Sequence, residues 1–451
     1  MDDRPICGLR ARRSAGKLAM SGTLRQRIRD AAAIPPYPLP DRWYRMSRNK
    51  RIPLAAGLAI RRQGGLQNPR SRGIRDFPGT EWRFLGQLGM KSGELTSLPA
   101  LPCPFLTSSV GFVQIGLSLT AILFQAGLAE RTKQEGDVMT RLSQELDPQL
   151  HGFAASSDRL FSPAYDLLPP REQRRLYDDW CREWSGPRPS SVAVADMMIR
   201  TGEADIPVRL YRPREAAGRV GVVLYLHGGG WVLGDCDSHD QATSRMAEAT
   251  GCAVLSVAYR LAPEHKFPVA FNDSYAALQW LAEAAAALDL DPSRLAVAGD
   301  SAGAALAAGI CLAARDRGGP KIRFQALIYA ALRLHRPGGG DAESPGLNAE
   351  SMGAYARAYL ARPEDALDPY AAPLCATSFA GLPPAIIASA ALDILREDSE
   401  VYSQKLREAG LPVTYRCGAG LPHTYLRTIH FCDAARAEFL SVCAAIQEAL
   451  Q

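Results

Sequence analysis

The sequence predicts an α/β fold with a mostly parallel central sheet and helices on both faces. Short apolar runs typical of strands alternate with helical runs from about residue 220 to the C-terminus, and such alternation favours a parallel sheet with crossover helices. One strand-like run leads through the pentad "GDSAG" directly into a helical run. With 451 residues, 47% of them hydrophobic, the chain can bury a large core.

The predicted elements begin with one or two short amphipathic helices over 160–186. Two β-rich runs follow, "VAVADMMIRT" and "IPVRLYRP", and the polar "GEAD" between them indicates an antiparallel pair. The later predicted strands lie at 220–227, 252–259, 294–299, 323–330, 384–390 and 412–417. The predicted helices lie near 238–250, 268–288, 301–317, 399–410 and 431–449.

Residues 1–138 differ in character from the rest of the chain. They hold 22 Lys and Arg against 10 Asp and Glu, whereas residues 139–451 hold 30 and 37. The net charge of +5 therefore combines a basic arm with a mildly acidic body. Residues 1–95 are rich in Arg, Gly and Pro and show no sustained helical or strand period, so we expect a low-order N-terminal extension.

Two interpretations of this extension stay open. Residues 105–129 run without a charge and are long enough to span a bilayer, which would anchor the protein in a membrane. Alternatively, translation starts at Met139, where ordinary globular sequence begins, and residues 1–138 are not part of the native protein. We favour the second hypothesis and expect a cytoplasmic catalytic domain over 139–451.

The ten cysteines are scattered, with no CxxC and no Cys-His cluster at metal-ligand spacing. That pattern indicates mostly reduced, structural thiols, although one or two disulfides stay open. No basic stretch with interleaved aromatic residues marks a nucleic-acid site. We therefore expect a small-molecule partner, without nucleic acid, and a homodimer is compatible with the sequence.

The pentad Gly299–Gly303 is the strongest chemical motif in the sequence. A strand that turns sharply into a helix holds the central serine in a strained conformation with its hydroxyl above the sheet edge. Glycines on both sides leave room for the close approach of the backbone. We therefore predict that Ser301 is a nucleophile, which requires a base to take its proton and a third group to orient that base.

The base and the orienting acid are predicted from chain order, which after such a turn is Ser, then Asp or Glu, then His. Asp393 follows the predicted strand 384–390, and His423 lies between the last strand and the last helix. Glu397 and Asp398 come later and fit as charges at the N-terminus of a helix. Of the other histidines, His227 belongs to the glycine motif and His430 lies on or near the final helix. The remaining ones come at the wrong point in the chain order: His151, His239, His265 and His335.

The stretch "HGGGW" at 227–231 directly follows a predicted strand. Glycine carries the largest entropic cost of any residue, so three in a row need a reason. Bare backbone there lets N–H groups reach the oxygen that becomes negative when Ser301 attacks a carbonyl, and one such donor is worth roughly 3 to 4 kcal/mol. We expect Trp231, the next residue, to border the acyl group of the substrate.

Over residues 139–451 the chain resembles the hormone-sensitive-lipase-like (family IV) esterases of the α/β-hydrolase superfamily. The resemblance rests on "HGGGW", "YRLAPEHKFP", "GDSAG", "LDPYAAPL", "GLPPA" and "LDILRED", in the family's order and at about its spacing. It implies hydrolysis of short acyl-chain carboxylic esters by Ser301, His423 and Asp393, without metal or cofactor.

The same resemblance implies where the other parts of the site lie. It places the oxyanion donors on the amides of Gly229, Gly230 and Ala302, and a helical cap at about 140–190 and 335–375. The sequence departs from the family's usual pattern at Ala330, Ile394 and Thr424, where Pro, Pro and Gly respectively are common. None of these departures removes a catalytic atom.

Other functions of the same fold stay open. An amidase, a deacetylase or a transacylase would use the same acyl-enzyme and differ only in the leaving group or the acceptor. A non-catalytic small-molecule receptor, as in the plant gibberellin receptors that resemble this family, is less compatible with the sequence, because all three triad residues are in place.

Overall fold

The computed structural model describes residues 145–334 and 343–451. The predicted extension 1–138, with its apolar segment 105–129, lies outside these residues, as does the part 335–342 of the second predicted cap element. Within the two described ranges, no helix is both long and apolar enough to cross a bilayer.

An eight-stranded sheet forms the centre of the fold. The strands of the described residues are β1 Val192–Arg200, β2 Asp205–Pro213, β3 Val220–Leu226, β4 Ala253–Val257, β5 Leu290–Asp300, β6 Phe324–Ile328, β7 Glu343–Ser344, β8 Leu347–Asn348, β9 Ala385–Leu392 and β10 Val413–Pro422. The strand order in the sheet is β1-β2-β4-β3-β5-β6-β9-β10, and β7 and β8 form a separate hairpin. β1 pairs antiparallel with β2, as predicted, and β2 antiparallel with β4. All other pairs in the large sheet are parallel.

Helices cover both faces of this sheet. The α-helices of the described residues are α1 His151–Leu160, α2 Pro163–Asp166, α3 Pro170–Glu183, α4 Asp240–Thr250, α5 Val269–Ala284, α6 Ala302–Arg317, α7 Ala349–Tyr359, α8 Arg396–Glu408 and α9 Asp433–Leu450. Helices α5, α6 and α8 contribute to the buried cluster on one face, and α4 and α9 to the cluster on the other. The predicted sheet with helices on both faces is confirmed.

Strand β3 shows why the central strands have nearly continuous apolar sequences. All seven of its residues are buried. Val222, Leu224 and Leu226 belong to the cluster on one face, and Val223 and Tyr225 belong to the cluster on the other. A parallel strand that is covered on both faces needs apolar side chains at every position, because successive side chains point to opposite faces.

Two strands are longer than the sequence indicates. β5 begins at Leu290 rather than 294, because Leu290 pairs with Val220 before the register shifts. The intervening residues "DPS" have low strand propensity and hide this pairing. β10 extends to Pro422 through a glycine-containing irregularity after Gly418.

Helices α1 to α3 and α7 lie in the segments in which the cap is predicted, 140–190 and 335–375. From α3, Arg174 donates to the carbonyls of Val232 and Ala262 at 2.8 and 2.9 Å, which ties this helix to the loops after β3 and β4. At the end of α7, Lys266 Nζ donates to the carbonyls of Arg357 and Leu360 at 2.9 and 2.8 Å. Both predicted cap segments are therefore hydrogen-bonded to loops that follow strands of the sheet.

The eight cysteines of the described ranges are all free thiols, and six of them are buried. In the same residues, no group of three or more His, Cys, Asp or Glu side chains is arranged to hold a metal ion. The six buried thiols pack as small apolar side chains.

Gly309 lies in the middle of α6, where another part of the chain approaches the helix. A Cβ atom at this position would lie 2.7 Å from the carbonyl oxygen of Tyr370. Gly152, in α1, is a helical glycine without such a neighbour, since its Cβ would meet only the Trp184 ring at 3.7 Å. Substitutions at these two positions therefore distinguish the effect of close packing on stability from the effect of helix propensity.

We expect Gly309→Ala to lower the free energy of unfolding by about 1–3 kcal/mol, because the backbone of Tyr370 has to move. Gly152→Ala should change it by less than about 1 kcal/mol, since only helix propensity is altered. Urea unfolding of both variants and the parent protein measures the difference. Equal effects of the two substitutions would contradict the steric explanation.

Candidate active site

The turn between β5 and α6 holds Ser301 in an unusual backbone conformation. Its φ is +53° and its ψ is −120°, a region that side-chain-bearing residues rarely occupy. A Cβ at Gly299 would lie 2.5 Å from the carbonyl oxygen of Gly303, and a Cβ at Gly303 would overlap the carbonyl oxygens of Leu226 and His227. Both outer glycines of the pentad are therefore required for this turn.

The structure brings Ser301, His423 and Asp393 together. His423 Nε2 lies 3.0 Å from Ser301 Oγ, and His423 Nδ1 lies 2.7 Å from Asp393 Oδ2. Because a carboxylate only accepts hydrogen bonds, Nδ1 carries the proton, and the lone pair of Nε2 accepts the hydroxyl proton of Ser301. The amide of Leu395 donates to the other carboxylate oxygen of Asp393 at 2.9 Å, so the acid is held at both oxygens.

The three side chains come from the carboxyl ends of three parallel strands. Ser301 follows β5, Asp393 follows β9 and His423 follows β10. These strands lie on one side of the sheet, with only β6 between β5 and β9. Parallel strands end at the same edge of a sheet, which is why residues far apart in the sequence meet here.

The glycine turn after β3 presents bare amides beside the serine turn. Gly229 and Gly230 have φ of +119° and +60°, and the carbonyl of Gly229 accepts the amides of Val232 and Leu233 at 3.1 and 2.8 Å. Within the described residues, the amides of Gly229, Gly230 and Ala302 donate no hydrogen bond. Ala302 is the first residue of α6, where the helix dipole favours a negative charge.

Trp231 is buried and packs against α7. Its indole stacks on Tyr359 of α7, with ring centroids 4.4 Å apart and an interplanar angle of 9°. The residue is 1% exposed. In this conformation the ring joins the glycine turn to α7, and its role as a substrate-binding residue stays a prediction.

A network of buried polar groups surrounds Asp300, the residue before Ser301, and it was not predicted from the sequence. Asp300 Oδ1 accepts hydrogen bonds from Tyr225 Oη at 2.8 Å and from the amide of Gly228 at 3.0 Å, and Oδ2 accepts from Tyr329 Oη at 3.2 Å. The Gly228 amide also points at His239 Nε2, 3.3 Å away. A hydrogen bond therefore joins Asp300, the residue before Ser301, to Gly228, the residue before Gly229 and Gly230.

The pKa values of this network follow from burial. Desolvation lowers the pKa of His227 to about 4, with His239 adding to the effect. Desolvation and the charge of Arg427 lower the pKa of His239. Burial alone would raise the pKa of Asp300, but the interaction with His239, the charge of Arg427 and the hydrogen bond from Tyr225 outweigh it and hold that pKa below its usual range. Near neutral pH the two histidines are therefore neutral and Asp300 is ionised.

Asp398 is more than a charge at a helix N-terminus, contrary to the sequence expectation. It lies in the first turn of α8, but its side chain is fully buried. Asp398 Oδ2 accepts the amide of Arg333 at 3.1 Å, and Oδ1 lies 3.7 Å from Arg333 Nε. Glu397 is exposed at the helix start as expected. Asp398 thus fixes the chain that follows β6.

Thr424 follows the histidine and has φ +63° and ψ +18°. This is the left-handed helical region, which favours glycine and is an outlier for a β-branched residue. Its hydroxyl donates to the carbonyl of His423 at 2.6 Å. The departure from the family's usual glycine therefore places strain directly beside His423.

Comparison with known proteins gives matches to hydrolases. A family model for the alpha/beta hydrolase fold matches residues 223–427. The esterase LipI of Mycobacterium tuberculosis is 41% identical over 240 residues, which cover 52% of this chain and 75% of LipI. An ethyl acetate hydrolase of Pseudomonas putida is 34% identical over 296 residues, which cover 63% of this chain and 91% of that enzyme. EstE1, a thermostable carboxylesterase from a metagenomic library, has a solved structure that matches with a TM-score of 0.60 and 38% identity, covering 63% of this chain and 98% of EstE1.

We expect Thr424→Asn to raise the free energy of unfolding by about 1 kcal/mol, because Asn tolerates the left-handed region. Thr424→Val is the matched control, since it removes the hydroxyl but keeps the branched Cβ. Denaturant unfolding of the two variants separates strain from the hydrogen bond. A Val variant as stable as the Asn variant would contradict the strain argument.

We also expect the free energy of unfolding to fall as the pH falls from about 6.5 towards 4. The folded protein holds His227 neutral below the ordinary histidine pKa, so over this range the unfolded chain binds more protons. The stabilisation is fully present above about pH 6.5, and it is lost with a slope of up to about 1.4 kcal/mol per pH unit for one proton.

The measurement for this second prediction is urea unfolding at several pH values between 4 and 7. Because carboxylates also titrate near the lower end, the decisive comparison is with His227→Asn. This variant should show a shallower slope, and an unchanged slope would contradict the assignment to His227.

Proposed function

The chain belongs to the hormone-sensitive-lipase-like (family IV) carboxylesterases of the α/β-hydrolase fold, and on this premise we propose that it hydrolyses short acyl-chain esters through an acyl-serine intermediate. The observation that carries the proposal is the continuous chain of hydrogen bonds from Ser301 Oγ through His423 to Asp393, with lengths of 3.0 and 2.7 Å. In the proposal these three residues are nucleophile, base and orienting acid.

The first half of the reaction forms the acyl-enzyme. Ser301 Oγ attacks the ester carbonyl carbon while its proton passes to His423 Nε2. The imidazolium that forms is stabilised by the Asp393 carboxylate at Nδ1. Collapse of the tetrahedral intermediate breaks the bond to the alkoxy oxygen, which takes the proton from Nε2 and leaves as an alcohol.

The second half returns the enzyme to its starting state. A water molecule gives a proton to His423 Nε2 and attacks the acyl carbon. The second tetrahedral intermediate then releases the carboxylic acid, and Ser301 Oγ regains its proton from Nε2. The same nitrogen accepts and donates in both halves, which its single contact with Ser301 permits.

The oxyanion of both intermediates is proposed to lie on the amides of Gly229, Gly230 and Ala302. Their lack of partners among the described residues supports this role, because an amide without an internal partner is available for a ligand oxygen. Preorganised donors of this kind stabilise the transition state without reorganising during the reaction.

The tightly packed surroundings of Ser301 and His423 favour a substrate with a short acyl chain. The relative exposures of Ser301 and His423 are 8% and 5%. A Cβ at Gly230 would lie 2.5 Å from the ring of Tyr355, a residue of α7, so that ring directly covers the glycine turn. The similarity to a protein named for ethyl acetate hydrolysis supports the same substrate class.

The test is hydrolysis of p-nitrophenyl acetate, butyrate, octanoate and palmitate. We expect kcat/KM to be highest for acetate or butyrate. Ser301→Ala and His423→Ala should lower kcat by about 10⁴- to 10⁶-fold, and Asp393→Asn by about 10⁴-fold, because each removes one member of a unit that acts together.

Ser274→Ala is the matched control for the serine variant. Ser274 is also buried, and its hydroxyl donates only to the carbonyl of Ala270 within α5. This variant should keep the parent activity. Full activity of Ser301→Ala would contradict the mechanism, and hydrolysis of p-nitroacetanilide in preference to p-nitrophenyl acetate would indicate an amidase.

A further inference from the structure

Arg427 is a buried cation behind the proposed catalytic residues. It is 7% exposed, and its guanidinium has three acceptors: the carbonyl of Ser238, Tyr177 Oη at 2.8 Å and His239 Nε2 at 3.1 Å. Among the described residues, no carboxylate lies within ion-pair distance of it. A cation is costly to bury without a carboxylate partner, so this arrangement needs an explanation.

The contact with His239 determines which nitrogen of that ring carries a proton. A guanidinium only donates, so Nε2 has to be the acceptor and the proton lies on Nδ1. The other side of the ring agrees with this assignment. Nδ1 lies 3.0 Å from Ser238 Oγ, whose own proton goes to the carbonyl of Asp235 at 2.9 Å.

An acceptor at His239 Nε2 serves the glycine turn. The amide of Gly228 lies 3.3 Å from Nε2 and 3.0 Å from Asp300 Oδ1. This amide therefore has two acceptors within reach, which lie 3.4 Å from each other. Gly228 directly precedes Gly229 and Gly230, so holding its amide fixes the position at which the glycine turn begins.

A proton on His239 Nε2 would reverse this arrangement. Nε2 lies 3.4 Å from Asp300 Oδ1, so its N–H would compete with the Gly228 amide for the same carboxylate oxygen. It would also point at the amide hydrogen of Gly228 and at the Arg427 guanidinium. The Gly228 amide would then lose His239 Nε2 as an acceptor and would share Asp300 Oδ1 with the Nε2 proton of His239.

Arg427 also belongs to the segment of the proposed base. It lies in the short 3-10 helix Tyr425–Thr428 that follows His423 and Thr424, and its amide donates to the carbonyl of Thr424 at 3.1 Å. One side chain thus joins the segment that carries His423 to residues 238–239, which hold the glycine turn.

We propose that Arg427 is a positioning residue for ester hydrolysis, which keeps His239 an acceptor for the Gly228 amide and thereby fixes the oxyanion turn relative to the His423 segment. This inference rests on the proposed oxyanion role of Gly229 and Gly230. The titratable and charged groups that face His239 are Arg427 from the 3-10 helix, Asp300 from β5, Tyr225 and His227 from the end of β3, and Asp235 from its own loop. Tyr177 from α3 contacts the Arg427 guanidinium.

The first test compares Arg427→Met with Arg427→Lys. The Met variant should lower kcat for p-nitrophenyl acetate by about 10- to 100-fold, because a displaced oxyanion turn acts on the transition state, while KM changes by less than about threefold. The acidic limb of its pH profile of kcat should move to higher pH, because His239 loses a neighbouring cation and gains a proton more easily. The Lys variant keeps the charge and one donor, and should recover most of the activity and the parent pH profile.

Arg436→Met is the matched control. Arg436 donates to the carbonyls of Ile429 and His430 at 3.0 Å each, so it supports the same stretch of chain without touching His239. This variant should keep both kcat and the pH profile. If it reproduces the changes of Arg427→Met, the role of Arg427 is general support of the segment and the proposal is wrong.

A second measurement does not depend on a folded variant. Two-bond ¹H–¹⁵N correlation spectra of the parent protein assign the tautomer of His239, and we expect the neutral form protonated at Nδ1 at pH 7. The form protonated at Nε2, or an imidazolium, overturns the proposal even if Arg427→Met fails to fold.

Failure of this inference is distinguishable from failure of the proposed function. If Ser301→Ala is inactive but Arg427→Met keeps the parent kcat and pH profile, only the positioning role is wrong. If Ser301→Ala keeps full activity, the oxyanion role falls with the mechanism, and the positioning proposal falls with it.

Discussion

At the carboxyl edge of the sheet, the end of β3, the serine turn and the start of α6 approach one another so closely that only glycine fits at the points of contact. A side chain at Gly303 would overlap the last carbonyls of β3, one at Gly299 would strike the first turn of α6, and one at Gly228 would meet the Asp300 carboxylate at 2.5 Å. This close approach sets the distance between the serine turn and the glycine turn by steric exclusion, and the hydrogen bond from the Gly228 amide to Asp300 adds to it. The remaining groups of the site have to be arranged around that fixed pair.

Strain is concentrated at the same place. Four of the five non-glycine residues with positive φ in the described residues lie at the site: Trp231, Ser301, Tyr329 and Thr424. Conformations of this kind cost of order 1–3 kcal/mol each and persist only where the surroundings determine them fully. Here the surroundings are a sheet buried on both faces. The apolar core of β3, β5 and β6 therefore stabilises backbone conformations that an isolated loop would not keep.

The sequence predicts the features that depend on local pattern and on chain order. The alternation of strands and helices indicates the parallel sheet, and parallel strands ending at one edge explain why Ser301, Asp393 and His423 meet although long stretches of chain separate them. The pentad and the three glycines are recognisable because close backbone approach excludes side chains. These signals require no knowledge of which side chains pack together.

Features that depend on packing between distant elements could not be predicted in this way. Asp398 has the sequence context of a solvated helix charge, yet Arg333 covers it. The indole of Trp231 turns towards Tyr359 of a helix more than a hundred residues away. Arg427 and His239 are single polar residues in unremarkable stretches, and only the folded chain places His239 against Asp300 and Arg427 against His239. The one signal in the sequence was Asp300 itself, a carboxylate beside the predicted nucleophile.

The contact between Ser301 and His423 joins residues 122 positions apart in the chain, and it has a kinetic consequence. In the native sheet β6 and β9 lie between β5 and β10, so the contact requires closure of this long loop, with its entropic cost. Under the proposed mechanism, partly folded chains without this contact have no esterase activity, however compact they are. During refolding, the return of turnover therefore reports when the native state forms. The return of the helical circular-dichroism signal reports only when the individual helices form.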